Sequence, residues 1–139
     1  MMVLLLVGLA MTAFCLGLQA GSAYLAQRYF VHARHKATRR RIGQGYLRIS
    51  IVMVLLMLGI VVQMAVWAAL YRLGGLFAST EEAMYFSGVT FTSLGYGDVV
   101  IHDHARFLAP MEAANGLMMF AIVTAVLIGV IQREAKPGE

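Results

Sequence analysis

Three long apolar runs constrain this chain more than any other feature. Residues 1–26, 49–70 and 107–131 each approach or exceed the roughly 20 residues a helix needs to cross a bilayer. The only charged side chain inside them is Glu112. Lipid offers no water to an unpaired N–H or C=O, so a spanning segment must satisfy its backbone internally, and each run is expected to be a helix. Composition agrees: 60% of the 139 residues are hydrophobic and 13% charged, about half the charge fraction of an ordinary soluble domain. The expectation is a small all-α membrane protein with three transmembrane helices and no separate soluble domain.

The charges orient it. Residues 28–48 hold Arg28, Arg34, Lys36, Arg39, Arg40, Arg41 and Arg48, seven of the 11 lysines and arginines, and no acid. Aromatic interleaving is too sparse for a nucleic-acid surface. The positive-inside rule makes this stretch a cytoplasmic loop, apposed to membrane lipids, with His32 and His35 as solvated loop residues. The N-terminus then lies outside and the C-terminus inside, with Arg133 and Lys136 marking a cytoplasmic tail at 132–139. A signal peptide is the competing reading of the first run, with Ala20, Gly21, Ser22 and Ala23 as its small-residue region. The run lacks a basic start and is long for that role, so residues 1–27 are read as a retained transmembrane helix. Arginines do not recur along it at every third position, so it is no voltage sensor. Its Cys15 is the single cysteine and forms no intrachain disulfide.

Between the second and third runs lies the stretch that points to a chemistry: Thr92, Ser93, Leu94, Gly95, Tyr96, Gly97 and Asp98. Glycines at 95 and 97 open backbone angles closed to other residues. A strand that alternates ordinary and glycine residues turns successive carbonyl oxygens to one side. Four such strands around an axis make stacked oxygen rings, which replace the water shell of a dehydrated cation. Taken alone, Gly-Tyr-Gly-Asp also suits an ordinary turn. Its context argues against that: it lies between two spanning runs and follows a short helical pattern. Gly74 and Gly75 end the second run, and Ser79 with Glu82 three residues on forms a capping box for a helix over 80–91. That helix is too short to span, so it must enter the membrane and return.

Ser93 to Asp98 resembles the selectivity-filter signature of potassium channels, usually written T-V-G-Y-G-D. Residues 49–131 resemble their pore module, in a small bacterial-type channel with one added N-terminal helix. The resemblance implies an outer helix over 49–73, a pore helix over 80–91, a filter over 92–98 and an inner helix over 107–131. Ser93 keeps the hydroxyl of the family's threonine, and Leu94 replaces valine. The implied ligands are the carbonyls of residues 93–97 and the Ser93 hydroxyl, with potassium held at Ser93, Leu94, Gly95 and Tyr96. Thr92, Asp98, Tyr85, Phe86 and Glu112 are the expected filter supports. Tyr85 and Phe86 take the place of an aromatic pair around the filter, and Asp98 that of an outer-mouth carboxylate with Tyr85 as its hydrogen-bond partner. The glutamate some relatives place behind the filter is Val89 here. Gly116 falls near the family's hinge glycine, or simply permits close packing on the pore helix. Glu112 is expensive inside a membrane helix and is read as a structural acceptor for the pore loop. Thr124, Ala121, Ala125 and Gly129 are candidates to line the cavity and gate.

One chain supplies one filter strand, so the resemblance implies a homotetramer in a bacterial cell membrane, passing potassium passively, with no cofactor beyond the permeant ion. A non-conducting accessory subunit that keeps the pore fold is the alternative. His102, Asp103 and His104 carry metal-ligand residue types but read first as a solvated loop, where external zinc or protons would act on the mouth. An enzyme has no support: no nucleophile–base pair or phosphate loop is present. Three spans also offer no internal repeat of the transporter kind.

Overall fold

The computed structural model describes residues 2–35 and 42–135. They form four α-helices: α1 (Met2–His35), α2 (Ile42–Leu73), α3 (Thr80–Phe91) and α4 (Leu108–Ala135), with a short 3₁₀ turn at Asp103–Phe107 before α4. No strand occurs among the described residues. Three of the helices are long and apolar enough to cross a membrane. At 34 residues, α1 is about 51 Å long and overreaches a hydrocarbon core of about 30 Å.

That excess length corrects the expected loop over 28–48. Helix α1 continues through Arg28, His32, Arg34 and His35, and α2 begins at Ile42, so helix occupies most of the basic stretch. The stretch contains no proline, and its arginines are good helix formers. Cationic residues in the last turn of α1 also suit the negative end of its dipole. Lys36, Arg39, Arg40 and Arg41 lie outside the described residues, as does Lys136. The inner helix likewise runs past the expected 131, to Ala135. Ala20 to Ala23 lie in mid-helix, and Ala23 is buried.

Each long helix turns one stripe inward. On α1 the buried positions include Cys15, Gln19, Ala23, Ala26 and Phe30; on α2, Val52, Leu56, Ile60, Gln63, Trp67 and Tyr71; on α4, Leu108, Glu112, Asn115, Met119 and Val123. The steps of three and four residues are those of one helical face. The opposite faces leave large apolar side chains uncovered, among them Leu6, Phe14, Met57, Leu58, Leu117 and Ile128. In a membrane these faces meet lipid or another subunit at no hydrophobic penalty.

Lipid gives helices little reason to associate beyond packing and hydrogen bonds, and the inward stripes carry such bonds. Gln63 Nε2 donates to Gln19 Oε1 at 2.7 Å, which ties α1 to α2 inside the bundle. At the other level, Arg34 Nη1 donates to the Arg133 carbonyl at 2.6 Å, and Arg48 pairs with Glu134 at 3.7 Å. The α1 and α2 ends are thereby joined to the end of α4. Helix α1 is thus an integral wall of the bundle.

Candidate functional site

The segment from Leu73 to Leu108 follows α2, forms α3, and continues through residues 92–98 as an irregular stretch, the strand described below. Helix α2 closes with a Schellman pattern, Leu76 N–H donating to Tyr71 O at 3.0 Å. Ser79 caps α3: its backbone is extended (φ −122°, ψ 152°) and its hydroxyl accepts from Glu82 N–H at 3.0 Å. Glu81 and Glu82 sit in the first turn, the favourable end of the helix dipole for acids.

The end of α3 leads directly into residues 92–98. Leu94 N–H donates to Val89 O at 3.0 Å and Ser93 N–H to Thr90 O at 2.9 Å, a Schellman closure with Ser93 in the left-handed position usually held by glycine. Ser93 has φ 57°, and left-handed residues recur at Gly95 (φ 59°) and Gly97 (φ 76°). Ser93, Gly95 and Gly97, every second residue of the stretch, are therefore left-handed. Glycine permits this at 95 and 97 at no steric cost. Ser93 does so under strain of about 1–3 kcal/mol, which the two Schellman bonds at the α3 terminus help to hold. The sequence offered no signal for this, since serine carries no left-handed preference of its own. All seven residues from Thr92 to Asp98 are exposed in the single chain.

The far end of the strand is tied back to the helix. Tyr85 Oη donates to Asp98 Oδ2 at 2.7 Å. That bond holds the Asp98 carboxyl below its ordinary range and pushes the Tyr85 phenol up. Thr92 Oγ1 donates to Gly88 O at 2.7 Å at the near end. Helix and strand thus form a closed loop, bonded at both ends.

Tyr85 and Phe86 meet different partners: Tyr85 bonds Asp98, and Phe86 is buried, with ring centroids 5.3 Å from Tyr71 and 5.1 Å from Phe77. Trp67 extends this cluster along α2, 5.9 Å from Tyr71. Glu112 lies fully buried behind α3, accepting from Tyr71 Oη at 2.5 Å and in contact with Ser87 Oγ at 2.5 Å. Sequence reading expected a pore-loop acceptor there; Ser87 and Tyr71 are the partners it did not identify.

Gly116 lies directly against the last turn of α3. A Cβ at this position would overlap the Phe91 carbonyl, so the absence of a side chain lets α4 reach the base of the strand. Thr124, Ala121 and Ala125 lie on an exposed face of α4, with Gly129 half-buried. Thr124 Oγ1 bonds back to Phe120 O at 2.8 Å. His102 and His104 are exposed, and among the described residues no three His, Cys, Asp or Glu side chains gather to hold a metal.

Residues 50–133, more than half of the chain, match the profile of a family described as ion channel. The matched region covers α3 and the exposed strand, with most of α2 and α4. The chain is also similar to Protein LctB of Geobacillus stearothermophilus, 38% identical over 50 residues, or 36% of this chain. That match spans 37% of LctB's length. No solved structure matches.

Proposed function

The chain belongs to the ion channel family, and from that premise we propose that it conducts potassium selectively through a pore built by four copies around residues 92–98. The observation that carries this reading is the left-handed alternation at Ser93, Gly95 and Gly97, on a strand bonded at both ends to a re-entrant helix. One strand offers a single column of carbonyls. Four columns about an axis make rings that replace the hydration shell of a monovalent cation. Rigid end anchors hold those oxygens at a spacing that suits one ion size.

The surroundings assist. Helix α3 would aim its C-terminus toward the membrane centre, where its negative dipole end favours a cation in transit. Glu81, Glu82 and Asp98 at the outer mouth concentrate cations there. The exposed face of α4 with Ala121, Thr124 and Ala125 would line the inner cavity. A hinge at Gly116 would bend α4 where it touches Phe91, so gating motion would reach the base of the filter. The excess of arginine over residues 28–48 supports an orientation with this basic stretch on the cytoplasmic side and the N-terminus outside.

The test is potassium efflux from liposomes holding the full chain, compared with Gly95→Ala. Position 95 has open space around it but φ 59°, so alanine perturbs the backbone rather than the packing. Efflux in the wild type and its loss in the variant is the expected result. Tetramers that carry no potassium would instead indicate an accessory subunit.

A further inference from the structure

Three oxygen–oxygen contacts run in series behind the strand. Tyr71 Oη lies 2.5 Å from Glu112 Oε2, Glu112 Oε1 lies 2.5 Å from Ser87 Oγ, and Ser87 Oγ lies 2.8 Å from the Met64 carbonyl. All three are hydrogen-bond distances, so each needs one proton between its oxygens. A carbonyl brings none, and the tyrosine and serine hydroxyls bring one each. With Glu112 ionised, two protons serve three contacts. Ser87 then bonds either Glu112 or Met64, and the remaining pair is two lone-pair oxygens pressed together. A protonated Glu112 supplies the third proton.

The surroundings agree with the count. Glu112 is fully buried. The groups shown near it are Cys15 from α1, Tyr71 from α2 and Ser87 from α3. None is a cation. The Arg48–Glu134 pair belongs to the opposite end of the bundle. A carboxylate buried in this setting has no cation to offset its lost hydration.

We propose that Glu112 is a neutral carboxylic acid and a positioning residue, whose proton completes a one-way hydrogen-bond chain from Tyr71 through Glu112 and Ser87 to Met64. The chain joins α2, α3 and α4 and holds the helix from which the filter strand departs. Its consequence for current rests on the channel reading above; the protonation state does not. The chain also explains why a carboxyl tolerates this depth: as an acid it donates and accepts once each, and both bonds are made.

The test uses the full chain in lipid bilayers and the variants Glu112→Gln and Glu112→Leu. The infrared difference spectrum between wild type and Glu112→Gln is expected to contain the carbonyl stretch of a protonated carboxylic acid. Glutamine can accept from Tyr71 and donate to Ser87, so amide exchange in α3 should stay within about twofold of wild type. Leucine leaves both hydroxyls buried and unpaired, and exchange should rise by about tenfold or more. If Glu112→Leu does not fold, the spectrum and the glutamine variant still decide. A carboxylate band in place of the acid band overturns the proposal, as does a glutamine variant with α3 exchange raised about tenfold or more. Potassium efflux forms a separate arm: its absence in wild type refutes the channel reading and leaves the infrared result standing.

Discussion

Replacing Gly116 by alanine adds one methyl group where α4 meets the Phe91 carbonyl. The atom it would overlap belongs to the backbone at the end of α3, so no side chain can rotate away. Overpacking typically costs about 1–3 kcal/mol, and a backbone obstacle places this site at the upper end. Alanine regains about 1 kcal/mol of helix propensity over glycine, for a net loss of about 2 kcal/mol. Gly17 on α1 is the matched control. It has nothing within 4 Å of its own added Cβ, so Gly17→Ala should keep the propensity gain of about 1 kcal/mol. The two variants should therefore differ by about 3 kcal/mol, roughly a hundredfold in the unfolding equilibrium. Reversible unfolding in mixed micelles measures this. Equal stability of the two variants would refute the close approach and return Gly116 to a purely flexible role.

The Tyr85–Asp98 bond sets a pH window. Asp98 is held below its ordinary carboxylate range, so the contact is present above that range and is lost as pH falls through the lowered value. Tyr85 is pushed up, so the contact is present below the ordinary phenol range and is lost as pH rises through the raised value. Potassium current should be insensitive to this contact between those limits. Tyr85→Phe removes the contact, so the titration of Asp98 should move up toward the ordinary carboxylate value of about 4, read from current against external pH. Gln19→Leu or Gln63→Leu alone should destabilise the bundle by about 0.6–2 kcal/mol, because each leaves a buried amide without its partner. The double substitution should recover part of that loss in the same unfolding assay, and strict additivity would refute the pairing.

What was legible in the sequence follows from the range of the interactions. The spanning runs, the Ser79 cap and the bounds of α3 rest on neighbours within a few residues, and composition and capping chemistry record them. Gly95 and Gly97 announce left-handed backbone because no other residue adopts it so freely. Ser93 does not, since its conformation comes from the way α3 ends. The links of Tyr71 and Ser87 to Glu112 join residues 41 and 25 positions apart, and Gln19 meets Gln63 across 44. No local pattern names such partners. The overrun of α1 and α2 into the basic stretch was hidden because arginines suit both a cytoplasmic loop and a helix end beyond the hydrocarbon.

The account turns on alternating backbone conformations at residues 93, 95 and 97 presenting rings of oxygen to one ion. Its most direct test is the reversal potential of the purified chain in a planar bilayer with potassium on one side and sodium on the other. A reversal near the potassium equilibrium potential is the predicted result. A reversal near zero, with sodium and potassium carried alike, would contradict it.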